Sequence, residues 1–142
     1  MKIVLDASMA LAWYLERADE VEADRAREAL RIVETHGASV PGLWYPEVAN
    51  GLLVAERRRV TAEHDIAGFI ADLSLLDIQL DSAPPKTTFP QVLALGRLFK
   101  LTGYDATYLE LARRRDLLLA TFDRKLAEAA RSAGVKVFGD PA

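Results

Sequence analysis

Asp6 stands directly behind the apolar run Ile3, Val4 and Leu5. A charge at the end of a buried strand is costly unless a hydrogen bond, a cation or water compensates it. Three further acids occupy related positions: Asp123 lies three residues beyond the apolar stretch 117–120, Glu47 falls in the first turn of a helix after a very short strand, and Asp105 starts the helix that runs into 117–120. Strand ends and helix starts of this kind reach one rim of a small sheet, so the four carboxylates converge there. Carboxylates packed together raise one another's pKa unless a cation neutralises them. A hard divalent ion, Mg²⁺ or Mn²⁺, takes oxygen ligands, keeps several waters and bridges carboxylates to phosphates. It also lowers the pKa of a bound water and offsets charge in a phosphodiester transition state. The chemistry implied is phosphodiester hydrolysis. Taken singly, each acid also has a structural reading: Asp6, Asp105 and Asp123 as N-caps, and Glu47 as a residue favoured by a helix dipole. Asp81 ends a strand as well, but the Pro-rich turn that follows marks it as a turn residue.

The elements that must position these acids follow from periodicity. Residues 2–5 read as a strand buried on both faces, and Ser8 as the N-cap of a helix over 9–16. The set Val21, Ala26, Ala29, Leu30 and Val33 marks an amphipathic helix from Asp19 to a stop at Gly37. A short strand at 39–41 precedes a helix opened by Pro46 and closed by Arg57, Arg58 and Arg59, whose cations suit its C-terminal dipole. A helix from Thr61 to Leu76 leads to a strand at 78–80 and a turn at 81–85. A helix over 89–101 is expected to end at Gly103, and Asp105 to cap a helix over 106–115. Strand 117–120, a helix from Asp123 to near Gly134 and a last strand at 135–138 complete the chain. Strands separated throughout by helices imply right-handed crossovers and a mostly parallel sheet covered on both faces. The class is α/β, and such sheets bind ligands at the carboxyl ends of their strands, which is where Asp6 lies.

Bulk properties set limits on this reading. A length of 142 residues suits one domain, 1–142, with a core of its own. Hydrophobic residues make up 51% and charged residues 27%, a globular composition. The N-terminal apolar stretch is too short for a signal-peptide core or a spanning helix, so no membrane association is expected. Without cysteine there are no disulfides, thiolate zinc sites or cysteine nucleophiles, and a cytoplasmic location is expected. A net charge of −3 argues against a strongly basic nucleic-acid wrapper.

Three segments, VLDASM, PEVANGLLVAERR and YDATYLELARRRDLLLATFDRKLAEAA, stand in an order and spacing that resemble the PIN-domain ribonucleases, and within them the VapC-type toxins of toxin–antitoxin pairs. The resemblance covers almost the whole chain. It implies a PIN-like three-layer sandwich, a parallel sheet of four to five short strands flanked by helices, with an acidic cluster that binds Mg²⁺ or Mn²⁺ and cleaves RNA. Carried over by position, Asp6, Glu47, Asp105 and Asp123 match the family's four acids. Ser8 and Thr121 match small hydroxyl residues beside them, and Asn50 a polar position one turn beyond Glu47. A homodimer is implied, as is a cognate VapB-type antitoxin that holds the ribonuclease inactive by laying a peptide over a groove near the first helices. Leu11, Trp13 and Tyr14 are candidates for that groove, although three apolar residues on one short helix also read as core.

RNA binding needs cations near the acids. Arg124 and Lys125 adjoin Asp123, while Arg57 to Arg59, Arg97, Lys100 and Arg113 to Arg115 read as solvated helix faces. His36 and His64 lack ligand spacing, so general-base work falls to metal-bound water. A phospho-acceptor receiver domain would want paired acids after the first strand, and a haloacid-dehalogenase-like phosphatase a second Asp where Ser8 stands. A non-catalytic PIN-like module that binds RNA or a partner without cutting is the remaining alternative.

Overall fold

The computed structural model describes residues 2–141. In chain order its elements are β1 (Ile3–Leu5), α1 (Ala7–Leu11), α2 (Glu20–His36), β2 (Ala38–Val40), α3 (Trp44–Arg57), α4 (Glu63–Leu73), β3 (Ile78–Leu80), α5 (Pro85–Phe99), α6 (Gly103–Arg115), β4 (Leu118–Ala120) and α7 (Arg124–Ser132). All strand pairs are parallel, in the order β3-β2-β1-β4. Two connections step in one direction across the sheet, and the third returns over it to β4. Right-handed crossovers therefore put α1 to α4 on one face and α5 and α6 on the other. This is the three-layer α/β sandwich expected from the alternation of elements, with four strands.

β1 owes its central place to the run Ile3, Val4 and Leu5, each fully buried. A strand covered on both faces and flanked on both edges has no solvent-facing positions, which is why its sequence does not alternate. Its register is Ile3 with Ala38 on one side, and Ile3 with Leu118 and Leu5 with Ala120 on the other. The Asp6 N–H prolongs the second ladder, donating to the Ala120 carbonyl at 3.0 Å. Asp6 and Thr121 consequently leave the sheet side by side, where strand order reverses direction. Ala26, Ala29 and Val33 bury the inner stripe of α2, while Leu109, Leu111 and Ala112 bury α6. Arg114 ties α6 to the end of β3 by a forked pair with Asp81, at 2.6 and 3.2 Å, and also holds Glu110 at 2.8 Å. Asp81 thus serves the turn it was assigned to, accepting from the Ala83 N–H as well.

Several expected boundaries differ. α1 starts two residues earlier than 9 and stops at Leu11; Asp6 holds its N-cap position without a side-chain cap bond, and Ser8 lies inside the first turn. α5 begins at Pro85 rather than 89, since proline at a helix start lacks only an N–H that would be unpaired there. Gly103 does not stop this helix. Lys100 does, in a left-handed conformation (φ +55°), and Gly103 opens α6 behind an N-cap at Thr102. Asp105 therefore is not the cap; its N–H donates to the Thr102 hydroxyl at 3.1 Å. The last strand is reduced to a single bridge between Leu119 and Val137, because Gly134 and Gly139, at φ +79° and +95°, turn the chain on either side.

Gly37, which separates α2 from β2, adopts φ +79° and ψ −179°, a region open essentially to glycine alone. A Cβ there would lie 2.8 Å from the Asp77 carbonyl oxygen. At Gly134, also φ +79°, a Cβ would meet nothing within 4 Å. Gly37→Ala is expected to lower unfolding free energy by roughly 3 kcal/mol or more and Gly134→Ala by roughly 1–2 kcal/mol. Urea unfolding of the two variants checks this, and equal losses would contradict it.

Candidate active site

The carboxyl ends of β1 and β4 open into a cleft of about 710 Å³. Asp6, Glu47, Asp105 and Asp123 all line it. Each is placed by a different device.

Asp6 is 7% exposed. Its Oδ2 accepts from the Ser8 hydroxyl at 2.6 Å and from the Thr121 hydroxyl at 2.7 Å. Those hydroxyls are themselves acceptors, Ser8 from the Phe122 N–H at 3.0 Å and Thr121 from the Asp123 N–H at 2.9 Å. One carboxylate oxygen thus orients two hydroxyls that in turn hold the loop from β4 to α7. Asp123 caps α7, its Oδ1 accepting from the Leu126 N–H at 2.9 Å. Its cap role and its place in the cleft are compatible, since one carboxylate oxygen suffices for the cap. Glu47 stands in the first turn of α3, and its Oε1 accepts from the Tyr108 hydroxyl at 2.6 Å. Tyr108 is fully buried, and burial with Glu47 beside it pushes the phenol far up, so it remains a donor. Thr102 fixes the first turn of α6, leaving the Asp105 carboxyl toward the cleft.

Among the described residues, none of the four acids has an ion-pair partner. Burial pushes Asp6 up, its two hydroxyl donors pull it down, and Asp123 pushes it up further. Burial also raises Glu47, opposed by Tyr108 and reinforced by Asp6 and Asp105. Asp105 rises to about 6, through burial first and then through Asp123 and Asp6, with Lys125 opposing. Asp6, Glu47 and Asp105 therefore each feel at least one other acid of the cleft. They remain spread along the cleft, however: no three described Asp, Glu or His side chains converge tightly enough to enclose a bare ion. The donor set, all hard oxygens with lone pairs left over, fits an ion that keeps part of its water shell.

Ser8 and Asn50 also line the cleft, and Thr121 is buried just beneath it. Arg124 and Lys125 are exposed at the start of α7 and are not part of the lining, although Lys125 is near enough to act on Asp105. Of Leu11, Trp13 and Tyr14, the two aromatics share a second groove, between the connection after α1 and α4, and Leu11 lies apart from them. Leu11 lies in the acidic cleft against Gly51 of α3, where a Cβ would collide with it. Trp13 donates from Nε1 to the Ala26 carbonyl of α2 at 2.9 Å, and Tyr14 stacks on Phe69 of α4 with its hydroxyl bonded to that of Thr61. Tyr108, Thr102 and Arg17 belong to the site and were not singled out in the sequence. Tyr108 lies three residues beyond Asp105, on the same helix face, a spacing that could have revealed it.

Asp105 supplies a pH signature. Its raised pKa means the folded chain favours the protonated acid, so its contribution to stability is complete below the ordinary 3.8 and is lost as pH rises through about 6. In metal-free buffer, the melting temperature of Asp105→Asn should fall less than that of the unaltered protein between about pH 4 and about pH 6.5. Parallel curves would show that the charge on Asp105 is relieved in another way.

The comparisons with known proteins agree with this architecture. The PIN domain family matches residues 3–132. Ribonuclease VapC3 of Pyrobaculum aerophilum is 30% identical over 128 residues, 90% of this chain and 94% of that protein. Among solved structures, the fold is similar to PAE2754 from Pyrobaculum aerophilum, with a TM-score of 0.62 at 24% identity over 91% of this chain and 87% of the other. It is also similar to FitAcB from Neisseria gonorrhoeae, with a TM-score of 0.57 at 17% identity over 98% and 97% of the two chains. The breadth of the family match, with the acids at the switch point of a parallel sheet, leads to one conclusion: this chain belongs to the PIN domain family.

Proposed function

We propose that the protein is a metal-dependent endoribonuclease of the VapC type, one domain over 1–142, with Asp6, Glu47, Asp105 and Asp123 as its metal-binding and catalytic acids. The observation that carries this reading is four carboxylates lining one open cleft, none of them with an ion-pair partner among the described residues. Such an arrangement is held against repulsion by the fold, and it suits Mg²⁺ or Mn²⁺. The 30% identity to Ribonuclease VapC3 supports RNA as the substrate.

When bound, a divalent ion supplies a water of lowered pKa and offsets charge on the phosphate. The protein's own groups do the rest. Ser8 and Thr121 occupy Oδ2 of Asp6, so Oδ1 is the oxygen left for the cleft. Tyr108 likewise claims Oε1 of Glu47, and Leu126 claims Oδ1 of Asp123, which leaves one oxygen on each. Three of the four acids are thereby oriented by donors that cannot be titrated away near neutrality. Neither His36 nor His64 lines the cleft, so no imidazole serves as base.

The reading extends to a cytoplasmic protein, where its RNA substrate is; among the described residues no helix is long and apolar enough to cross a membrane. It also extends to a cognate VapB-type antitoxin that blocks the cleft, and to a homodimer, for which the exposed Phe89 and Leu93, one turn apart on α5, offer apolar surface.

Incubated with total RNA and structured tRNA, the protein should cleave with Mg²⁺ or Mn²⁺, and excess chelator should stop it. Asp6→Asn should reduce cleavage to background; equal behaviour of this variant and the unaltered protein under both metals would sink the assignment. Tyr108→Phe removes one hydroxyl while keeping the buried ring. It should weaken Mn²⁺ binding roughly 10–100-fold, measured calorimetrically, as loss of a ligand-orienting hydrogen bond does.

A further inference from the structure

Arg17 is the only cationic side chain that lines the acidic cleft among the described residues. It sits in the connection between α1 and α2, away from the basic runs that the sequence makes conspicuous. Its guanidinium lies over the ring of Phe122, 4.4 Å from the centroid. Phe122 is itself tied to the acids, because its backbone N–H donates to the Ser8 hydroxyl that binds Asp6. The position of Arg17 is thus registered to Asp6 through the ring, one backbone bond and one hydroxyl. Arg17 also reaches Glu22, but at 3.4 and 3.5 Å, long for charge-assisted bonds. A part-exposed pair of this kind is worth little and can be exchanged for another anion. Arginine on an aromatic face keeps its in-plane donors free, which is the geometry that recognises a phosphate.

We infer that Arg17, seated on Phe122, holds an RNA phosphate flanking the one that the acids address, and so sets the register of the strand in the cleft. This rests on the ribonuclease reading above. A polyanion entering a cleft lined by four carboxylates needs a fixed cation on its path, and phosphate contacts fix register without reading sequence. Glu22 then acts as the anion that Arg17 exchanges for the phosphate. Arg17 is a positioning residue, so it acts on binding more than on the chemical step.

The test uses a short degenerate single-stranded RNA labelled at one end, with cleavage measured in the otherwise unaltered protein and binding measured with Asp6→Asn in place, where cleavage falls to background. Arg17→Ala should raise KM and Kd about tenfold, with kcat within about twofold, and should reduce the slope of log Kd against log salt by about 0.7. Arg17→Lys should keep most of that slope, while Arg27→Ala, an exposed arginine on α2, should change nothing. If the unaltered protein cleaves and Arg17→Ala binds with the same Kd and salt slope, the inference is overturned while the nuclease reading stands. Binding that depends on Arg17 without any cleavage would retain the phosphate contact and remove the nuclease reading. Absence of both binding and cleavage would overturn both. A loss confined to kcat would also overturn the positioning role.

Discussion

A carboxylate at the end of the central strand must be solvated by the protein itself, and the rest of the site depends on how that is done. Asp6 meets the demand with hydroxyl donors from Ser8 and Thr121, on the two chain segments that leave the sheet beside each other. Because these hydroxyls also accept backbone N–H groups of Phe122 and Asp123, the same four bonds set the loop that carries the second acid and the aromatic ring. A hydroxyl that donates and accepts at once polarises both bonds, so the network is stiffer than its members taken separately. Removing either hydroxyl would therefore disturb Asp6 and the β4-to-α7 loop together.

The acids are supported from three directions. β1 and β4 deliver Asp6 and Asp123, α3 delivers Glu47, and α6 delivers Asp105 together with Tyr108, which crosses back to hold Glu47. Helices from both faces of the sheet thus meet at the switch point, where the change in strand direction opens a crevice. The arrangement opposes stability locally, since burial and mutual repulsion raise Asp6, Glu47 and Asp105 in concert. Compensation comes from the fully buried core of β1, β4 and α6 and from the Arg114 fork across Asp81 and Glu110. Asp81 and Glu110 are paired in this way, whereas the acids of the cleft have no ion-pair partner among the described residues. That contrast marks the cleft as a place where charge is retained at a cost in folding.

Local patterning was sufficient for the class and order of the elements. Apolar runs bounded by polar residues located all four strands of the sheet within a residue or so, and the Asp19 cap and Gly37 stop bounded α2 on both sides. It failed where two signals shared a residue. Pro84-Pro85 reads as a turn and also as a helix start, and Gly103 reads as a stop and also as a first residue. Which meaning holds depended on Lys100 adopting a left-handed conformation and on Thr102 capping, neither of which has a distinctive local pattern. The segment around Val137 has the composition of a strand, but glycines on both sides confine it to a single bridge.

The sequence by itself determined that four acids would stand at strand ends and helix starts of a parallel α/β sheet, because strand and helix periodicities are local and the topology rules are few. Only the tertiary structure decided how those acids are held and what accompanies them. Tyr108 reaches Glu47 across 61 positions of sequence, Thr121 reaches Asp6 across 115, and Arg17 joins the cleft from an irregular connection through its contact with Phe122. Hydrogen bonds and ring contacts of this range depend on the register of β1 with β4 and on the packing of α6, which no single stretch of chain encodes. The separation of Leu11 from Trp13 and Tyr14 has the same origin: α1 ends at Leu11, and the two aromatics beyond it, one bonded to α2 and one stacked on Phe69 of α4, line a groove of their own.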